Sequence, residues 1–415
     1  MKKLNIDLDK NTPNYFDFGI VIPVLLLTII GLYSIYSATR GIGQDTLFIR
    51  QSVSAVIGLV AMFGIIFLPK KFFESFWIPI YGISTVLLIA VLVFGEVIYG
   101  TKGWLRIGSL SLQPAELSKF AVILALAGYI SGKGIYLSNI RDLSISIAIA
   151  ILQFLLIWVQ PDHGSSSVIL VILIAIFYWS GFNKLLIFLI VSVPILILLS
   201  FKGLIFYVVA AIIFSIIVIF MRKQIILTIL AIVIYSSIGF ATPFVFNQLQ
   251  PHQKERIEAF INPTSDPLGS GYNVLQSVMA VGSGGIYGKG VLQGSQTQLR
   301  YIPMQWTDFI FSVPAEELGF LGSSSVIILF LILIIRIVRI AASIDSKFNS
   351  IAVFGIASVF FYHITINIGM VIGLTPVMGL PLPFMSYGGT SLIINYMFIG
   401  FVIYTNRVYI LKRMD

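Results

Sequence analysis

The chain has 415 residues, 58% of them hydrophobic and only 10% charged, more apolar surface than one water-soluble core can hide. It reads as an all-α polytopic membrane protein. With no cysteine, disulfides, thiolate catalysis and Cys-ligated metals are excluded, and the three histidines, His163, His252 and His363, lie too far apart to suggest a metal site. The net charge of +9 reports orientation in such a chain, and no basic run interleaved with aromatics points to nucleic acid.

Residues 1–18 are polar, lack a convincing cleavage site and are read as a retained cytoplasmic tail. Apolar runs of about 20 residues, the length that spans the hydrocarbon, follow near 19–38, 51–68, 76–95, 114–131, 143–160, 166–181, 185–201, 204–220 and 225–246. Further runs lie near 318–341, 350–373 and 388–405, followed by a cytoplasmic tail over 406–415. Together they predict about twelve spans, in two blocks covering 19–246 and 318–405. Placing the N-terminus inside collects Lys70, Lys71, Lys133, Arg141, Lys184, Arg222, Lys223, Arg336, Arg339, Lys347 and Arg407 on the cytoplasmic side. Only Arg40, Arg50, Lys102, Arg106 and Lys202 remain for short outer connections. That asymmetry predicts both termini inside and the interval 247–317 outside. The interval has no obvious internal helix, is rich in Gly and turn-formers, and carries too many apolar residues for a disordered linker, so a folded cap on the outer face is expected.

Four polar clusters fall on that outer side. In "GTKGWLRIGSLSLQPAELSKFAVI", residues 100–123, Gln113-Pro114 starts a helix and Glu116 lies in its first turn. Lys119 shares a face with Glu116 inside an apolar span. The pair either locks the helix internally or floors a polar cavity with Lys119 free to meet a phosphate. In "QPDHGSSS", residues 160–167, Asp162 reads as a helix cap. In "YIPMQWTDFIFSVPAEELG", residues 301–319, Asp308 stands among Trp306, Phe309, Ile310 and Phe311. Such a setting raises a carboxylate toward the range of a general base, although a helix cap is the alternative. Glu316 and Glu317 read as caps of the following span, at least one facing solvent. The fourth cluster, "TPVMGLPLPFMSYGGTSLI", residues 375–393, is a broken segment containing Ser386, Gly388 and Gly389, tolerated at membrane depth only against protein or a wet cavity. Convergence of the four suggests one site.

Several of these stretches, together with "SDPLGSGYN", "GSGGIYGKG", "QGSQTQ" and "QPAELSK", resemble the SEDS family, whose members include RodA and FtsW. The resemblance runs through nearly the whole chain and leans to the RodA-like, elongation-type branch. It implies a peptidoglycan glycosyltransferase that polymerises lipid II on the outer face of the cytoplasmic membrane. The implied partners are a class B penicillin-binding protein transpeptidase and other membrane proteins of the elongation machinery. It places the family's essential aspartate on Asp308, its loop tryptophan on Trp104 and its Glu–Lys pair on Glu116 and Lys119. The family has about ten spans, which leaves a hairpin near 185–220 as an addition. Where the family commonly reads Pro-Glu-x-His-Thr-Asp, this chain has Pro303-Met304-Gln305-Trp306-Thr307-Asp308, without that acid and histidine.

On this reading Asp308 takes or positions the acceptor hydroxyl's proton, and Lys119, with Arg106 or Lys289, holds phosphate. Trp104, Glu116, Ser386, Gly388 and Gly389 complete the expected substrate-binding set. A divalent cation could share the charge, but no ligand constellation requires one. The rival class is a transporter that moves the same lipid, since broken helices and intramembrane charge suit both.

Overall fold

The computed structural model describes residues 17–40, 45–98, 101–107, 110–221, 225–248, 254, 261 and 270–414. Helices α1 (Phe18–Thr39), α2 (Asp45–Ile66) and α3 (Phe72–Phe94) lead into short strands β1 (Glu96–Ile98), β2 (Thr101–Ile107) and β3 (Leu110–Leu112). There follow α4 (Pro114–Ile130), α5 (Ile140–Trp158), α6 (His163–Trp179), α7 (Lys184–Lys202), α8 (Leu204–Phe220) and α9 (Ile225–Gln248). Then come α10 (Ser270–Ser283), α11 (Ser295–Gln298), α12 (Ser312–Glu317), α13 (Gly319–Ser343), α14 (Lys347–Val371) and α15 (Gly389–Met414). Every apolar run read as a span coincides with one of these helices. Among the described residues, 8 helices are long and apolar enough to cross a membrane, and shorter apolar helices lie at His163–Trp179, Leu204–Phe220 and Thr228–Gly239. The protein is a multi-pass membrane protein.

Local chemistry sets the helix starts. Asp17, Asn139, Asp162, Asn183 and Ser346 each cap a helix through a side-chain oxygen, and Pro114 opens α4 where its missing N–H costs nothing. α4 is buried on all sides and forms the centre of the bundle. Around it, Phe73, Phe120, Phe401 and Tyr404 join α3, α4 and α15 through edge-on ring contacts. Outward faces carry exposed apolar side chains such as Val56, Val60, Val86 and Val93, as lipid-facing surfaces do.

The hairpin α7–α8 has a small core of its own. Leu185, Leu189, Leu196, Tyr207 and Val218 pack with Ala231, Tyr235 and Ile238 of α9, apart from the main core. Ser192 bonds the Tyr235 hydroxyl at 2.6 Å, and the Tyr207 hydroxyl donates to the Tyr235 carbonyl.

Two expectations are corrected here. The chain is not all-α, because residues 96–112 include a three-stranded antiparallel sheet in the order β1-β2-β3. Pairings Glu96↔Trp104 and Arg106↔Ser111 set its register. The signal was present as short alternating segments separated by Tyr-Gly-Thr and Ile-Gly-Ser. The outer interval also contains a helix, α10, which docks on the end of α14 where the Ser277 hydroxyl donates to the Val371 carbonyl at 2.9 Å. Residues 249–253, 255–260 and 262–269 of that interval, like Arg222 and Lys223, lie outside the described residues.

Candidate functional site

The four polar clusters meet at one end of the bundle. The ends of α1, α3 and α14 and the starts of α2, α4, α6 and α15 all lie there. α6 approaches the loop before α15 so closely that a Cβ on Gly164 would stand 2.3 Å from the Met378 carbonyl, which requires glycine at that position. Gln113, the last residue before α4, donates from its side chain to Asp162 at 3.1 Å, while Asp162 caps α6 through the Ser165 amide at 2.9 Å. Strand β2 covers this contact, with Gly103 nearest to Gln160 and Gln113. Side chains alternate along a strand, so Trp104 faces away from Gly103.

Asp308 lies in the turns that precede α12, and its backbone is held on three sides. The Tyr387 amide donates to the Trp306 carbonyl at 2.8 Å and the Ser386 hydroxyl to the Thr307 carbonyl at 2.7 Å. The Asn367 amide donates to the Asp308 carbonyl at 2.9 Å. Phe309, Ile310 and Phe311 anchor the turn in the core. The carboxylate itself accepts from no group among the described residues, and no helix uses it as a cap. It lies beside Gly379, 3.8 Å from where a Cβ would stand there. The residue as a whole is only partly shielded from solvent, although atoms crowd closely around its carboxylate. Burial, with the charge of Asp162 adding to it, pushes the Asp308 carboxyl up to about 6. A carboxylate in that range accepts a proton near neutral pH more readily than an ordinary one.

The other expected site residues take varied places. Glu116 and Lys119 form a buried ion pair at 2.6 Å, and the ammonium also meets His363 Nε2 at 3.3 Å. Lys119 is 1% exposed, which matches the internal lock and not an ammonium open to a ligand. Lys289 donates to Glu316 at 2.8 Å and to Ser295 at 2.7 Å. Arg106 is well exposed on β2 with a long contact of 3.5 Å to Glu96, weak at such a surface. Ser386 is engaged between the Thr307 carbonyl and the Leu382 amide. Gly388 donates to Gln51 Oε1 at 3.1 Å, and Gly389 sits against Ser54, so both fasten α15 to α2.

Glu316 and Glu317 correct the capping expectation. Both are fully buried, and neither serves the helix that follows. Glu316 accepts from the Gln296 amide, the Thr297 amide and hydroxyl, and Lys289. Burial alone would raise its carboxyl, but the bonds from Lys289, Gln296 and Thr297 together hold it below the ordinary range. Glu317 accepts from Tyr33 and Ser37 of α1 and from Gln298. The glycine-rich stretch lies directly on this helix, since a Cβ on Gly284 would stand 2.0 Å from the Ala315 carbonyl. The acids therefore tie the outer loop to α12 and α1. Gln305 extends the network, donating to Ser312 at 2.8 Å and Thr297 at 3.3 Å.

Sequence reasoning missed His363, Asn367, Gln51 and Gln113. The available signal was a polar residue inside or beside an apolar run, which in a membrane span implies a partner or a task.

Fold and site together define a multi-pass membrane protein with four polar clusters gathered at one end of its bundle. The model of the FtsW, RodA and SpoVE family, described as cell cycle protein, matches residues 18–210 and 193–408, and the chain belongs to that family. Peptidoglycan glycosyltransferase MrdB of Escherichia coli K12 is 31% identical over 410 residues, covering 97% of this chain and 99% of its own. Stage V sporulation protein E of Bacillus subtilis is 32% identical over 400 residues, covering 94% and 97%. Among solved structures, a chain of a peptidoglycan synthase complex that coordinates polymerization and crosslinking aligns with a TM-score of 0.73 and 26% identity over 95% of this chain and 98% of that one. The rod shape determining protein RodA of Thermus thermophilus aligns at 0.63 with 24% identity over 95% and 97%, a likeness of fold.

Proposed function

We propose that this protein is a peptidoglycan glycosyltransferase that polymerises lipid II into glycan strands for cell elongation. It works at the outer face of the cytoplasmic membrane, with about twelve crossings, both termini inside and the four polar clusters outside. The supporting observation is Asp308, where hydrogen bonds from Tyr387, Ser386 and Asn367 pin the carbonyls of Trp306, Thr307 and Asp308 while the carboxylate accepts from no group among the described residues and is raised toward neutrality.

In the reaction the 4-hydroxyl of the acceptor lipid II attacks the anomeric carbon of the growing strand. A C–O bond forms to that oxygen as the bond from the same carbon to the pyrophosphate breaks. The electron pair leaves with the polyprenyl pyrophosphate, and the hydroxyl proton passes to Asp308. Positive charge near the departing pyrophosphate would lower the barrier. Arg106, exposed and weakly paired, is freer to take that role than Lys119, which is enclosed, or Lys289, which is engaged with Glu316. Among the described residues no group of three or more His, Asp or Glu could hold a metal ion by itself; a divalent cation carried by the substrate's own pyrophosphate would add to that positive charge.

A class B penicillin-binding protein is the proposed partner, in line with the synthase complex to which the chain is similar. The test is purified protein in detergent, given lipid II with and without that transpeptidase. Glycan polymer supports the polymerase. Absence of polymer, with lipid II carried across a liposome bilayer instead, would favour a transporter.

A further inference from the structure

His363 and Asn367 of α14 are used by no step of the proposed reaction. They stand four residues apart on one helix face and are 3% and 0% exposed. Polar side chains buried this completely in an apolar bundle are costly unless they have partners or a task. The Asn367 amide nitrogen donates to the Asp308 carbonyl at 2.9 Å and to the Leu380 carbonyl at 2.8 Å, which engages both of its N–H bonds. Carbonyls only accept, so the amide cannot be turned the other way, and its buried Oδ1 has no partner among the described residues. An orphaned acceptor is a standing cost, tolerated here with both donors held on two separate loops.

His363 supports the same loop from one turn away. Its Nδ1 lies 2.9 Å from the Pro381 carbonyl and its Nε2 3.3 Å from the Lys119 ammonium. A carbonyl only accepts and an ammonium only donates, so the ring is neutral with its proton on Nδ1. A continuous chain therefore runs from Glu116 through Lys119 and His363 to Pro381. Leu380 beside it meets Asn367, and Asn367 meets the peptide of Asp308. Gly379, which precedes Leu380 in the same loop, borders the Asp308 carboxylate.

We propose that Asn367 is a positioning residue for glycosyl transfer, seated by the His363–Lys119 link: it fixes the Asp308 peptide against the Leu380 carbonyl and so aims the carboxylate at the acceptor hydroxyl. The assignment rests on Asp308 acting as the base.

The test measures lipid II polymerisation by the protein with its transpeptidase, as kcat, KM and the pH dependence of kcat. Asn367→Ala should lower kcat about 10- to 100-fold, the scale of a small misplacement of a reacting group, with KM within about twofold. The acid limb of kcat should move to lower pH, because a loosened carboxylate turns toward water. A folded Asn367→Ala protein with unchanged kcat overturns the proposal. So does a fall in kcat with an unmoved acid limb, which marks only a loss of folded protein. Should Asn367→Ala fail to fold, His363 decides. His363→Gln keeps one donor and one acceptor and should stay within about threefold of wild type, whereas His363→Leu should show the lowered kcat and shifted limb. Equal kcat and equal limbs in those two variants overturn the proposal. Asp308→Asn is run alongside: full activity there sinks the base, while an inactive Asp308→Asn beside a normal Asn367→Ala sinks the positioning role alone.

Discussion

The Ser386 hydroxyl donates to the Thr307 carbonyl at 2.7 Å and accepts from the Leu382 amide at 2.8 Å, so one side chain ties the loop before α15 to the peptide beside Asp308. Ser386 is 5% exposed, and removing its hydroxyl strands the buried Leu382 amide, worth about 1–3 kcal/mol, and frees the partly buried Thr307 carbonyl. Ser386→Ala should lower the unfolding midpoint of the detergent-solubilised protein and slow polymerisation together. An unchanged midpoint would mean that water replaces the hydroxyl without loss.

The Glu116–Lys119 pair makes a second prediction. Because both side chains are almost fully buried, Lys119→Ala leaves an uncompensated carboxylate and should cost on the order of 3–5 kcal/mol. Replacing both members by apolar residues of similar volume should recover most of that loss, since the desolvation penalty disappears with the charges. Thermal unfolding of the single and double variants checks this. A double variant no more stable than Lys119→Ala would show that the pair specifies the packing of α4 and not merely its own neutralisation.

The helices were legible in the sequence because about 20 apolar residues in a row have one stable solution in a bilayer. The convergence of the four polar clusters was legible too, since alternating spans place alternate connections on one side. The sheet at 96–112 was harder to read, because its strands are short and their alternation is weak against the apolar runs on either side. Glu316 and Glu317 misled for a physical reason. An acid just before an apolar run normally serves the helix dipole, but here partners 19–27 and 280–284 residues away in sequence claim both carboxylates. Spacing cannot reveal such distant pairing, and the same holds for Asn367 and Asp308.

Titration of Asp308 should be visible in both rate and stability, with opposite signs. As a base it works deprotonated, so kcat/KM should rise with pH through a midpoint near its value of about 6 in the free protein. Folding behaves the other way. The folded protein binds this proton more tightly than the unfolded chain, so the contribution to stability is fully present below the ordinary value of 3.8 and is lost as the pH rises through about 6. Asp308→Asn should therefore be at least as stable as wild type at neutral pH, with the difference shrinking toward acid. A lower melting temperature for the Asn variant at neutral pH would mean that the carboxylate holds the fold together.

Glu316 titrates in the opposite sense. Its depressed carboxyl stabilises the fold above the ordinary value of 4.5, and that contribution is lost as the pH falls through its lower folded value. Glu316→Ala would strand Lys289 and the Gln296 and Thr297 amides, costing on the order of 3–5 kcal/mol at neutral pH. Urea unfolding at neutral and acid pH checks the claim, and an equal loss at both would mean that charge is not the source.

Whether Asp308 is the base is decided by lipid II polymerisation with purified Asp308→Asn protein in the presence of its transpeptidase. Asparagine keeps the size and the pinned backbone but cannot take a proton, and loss of a general base typically costs about 100- to 10,000-fold in rate. The variant should fold, bind its partner and polymerise at least about 100-fold more slowly than wild type. Near-normal polymerisation by the folded Asp308→Asn protein would contradict the account.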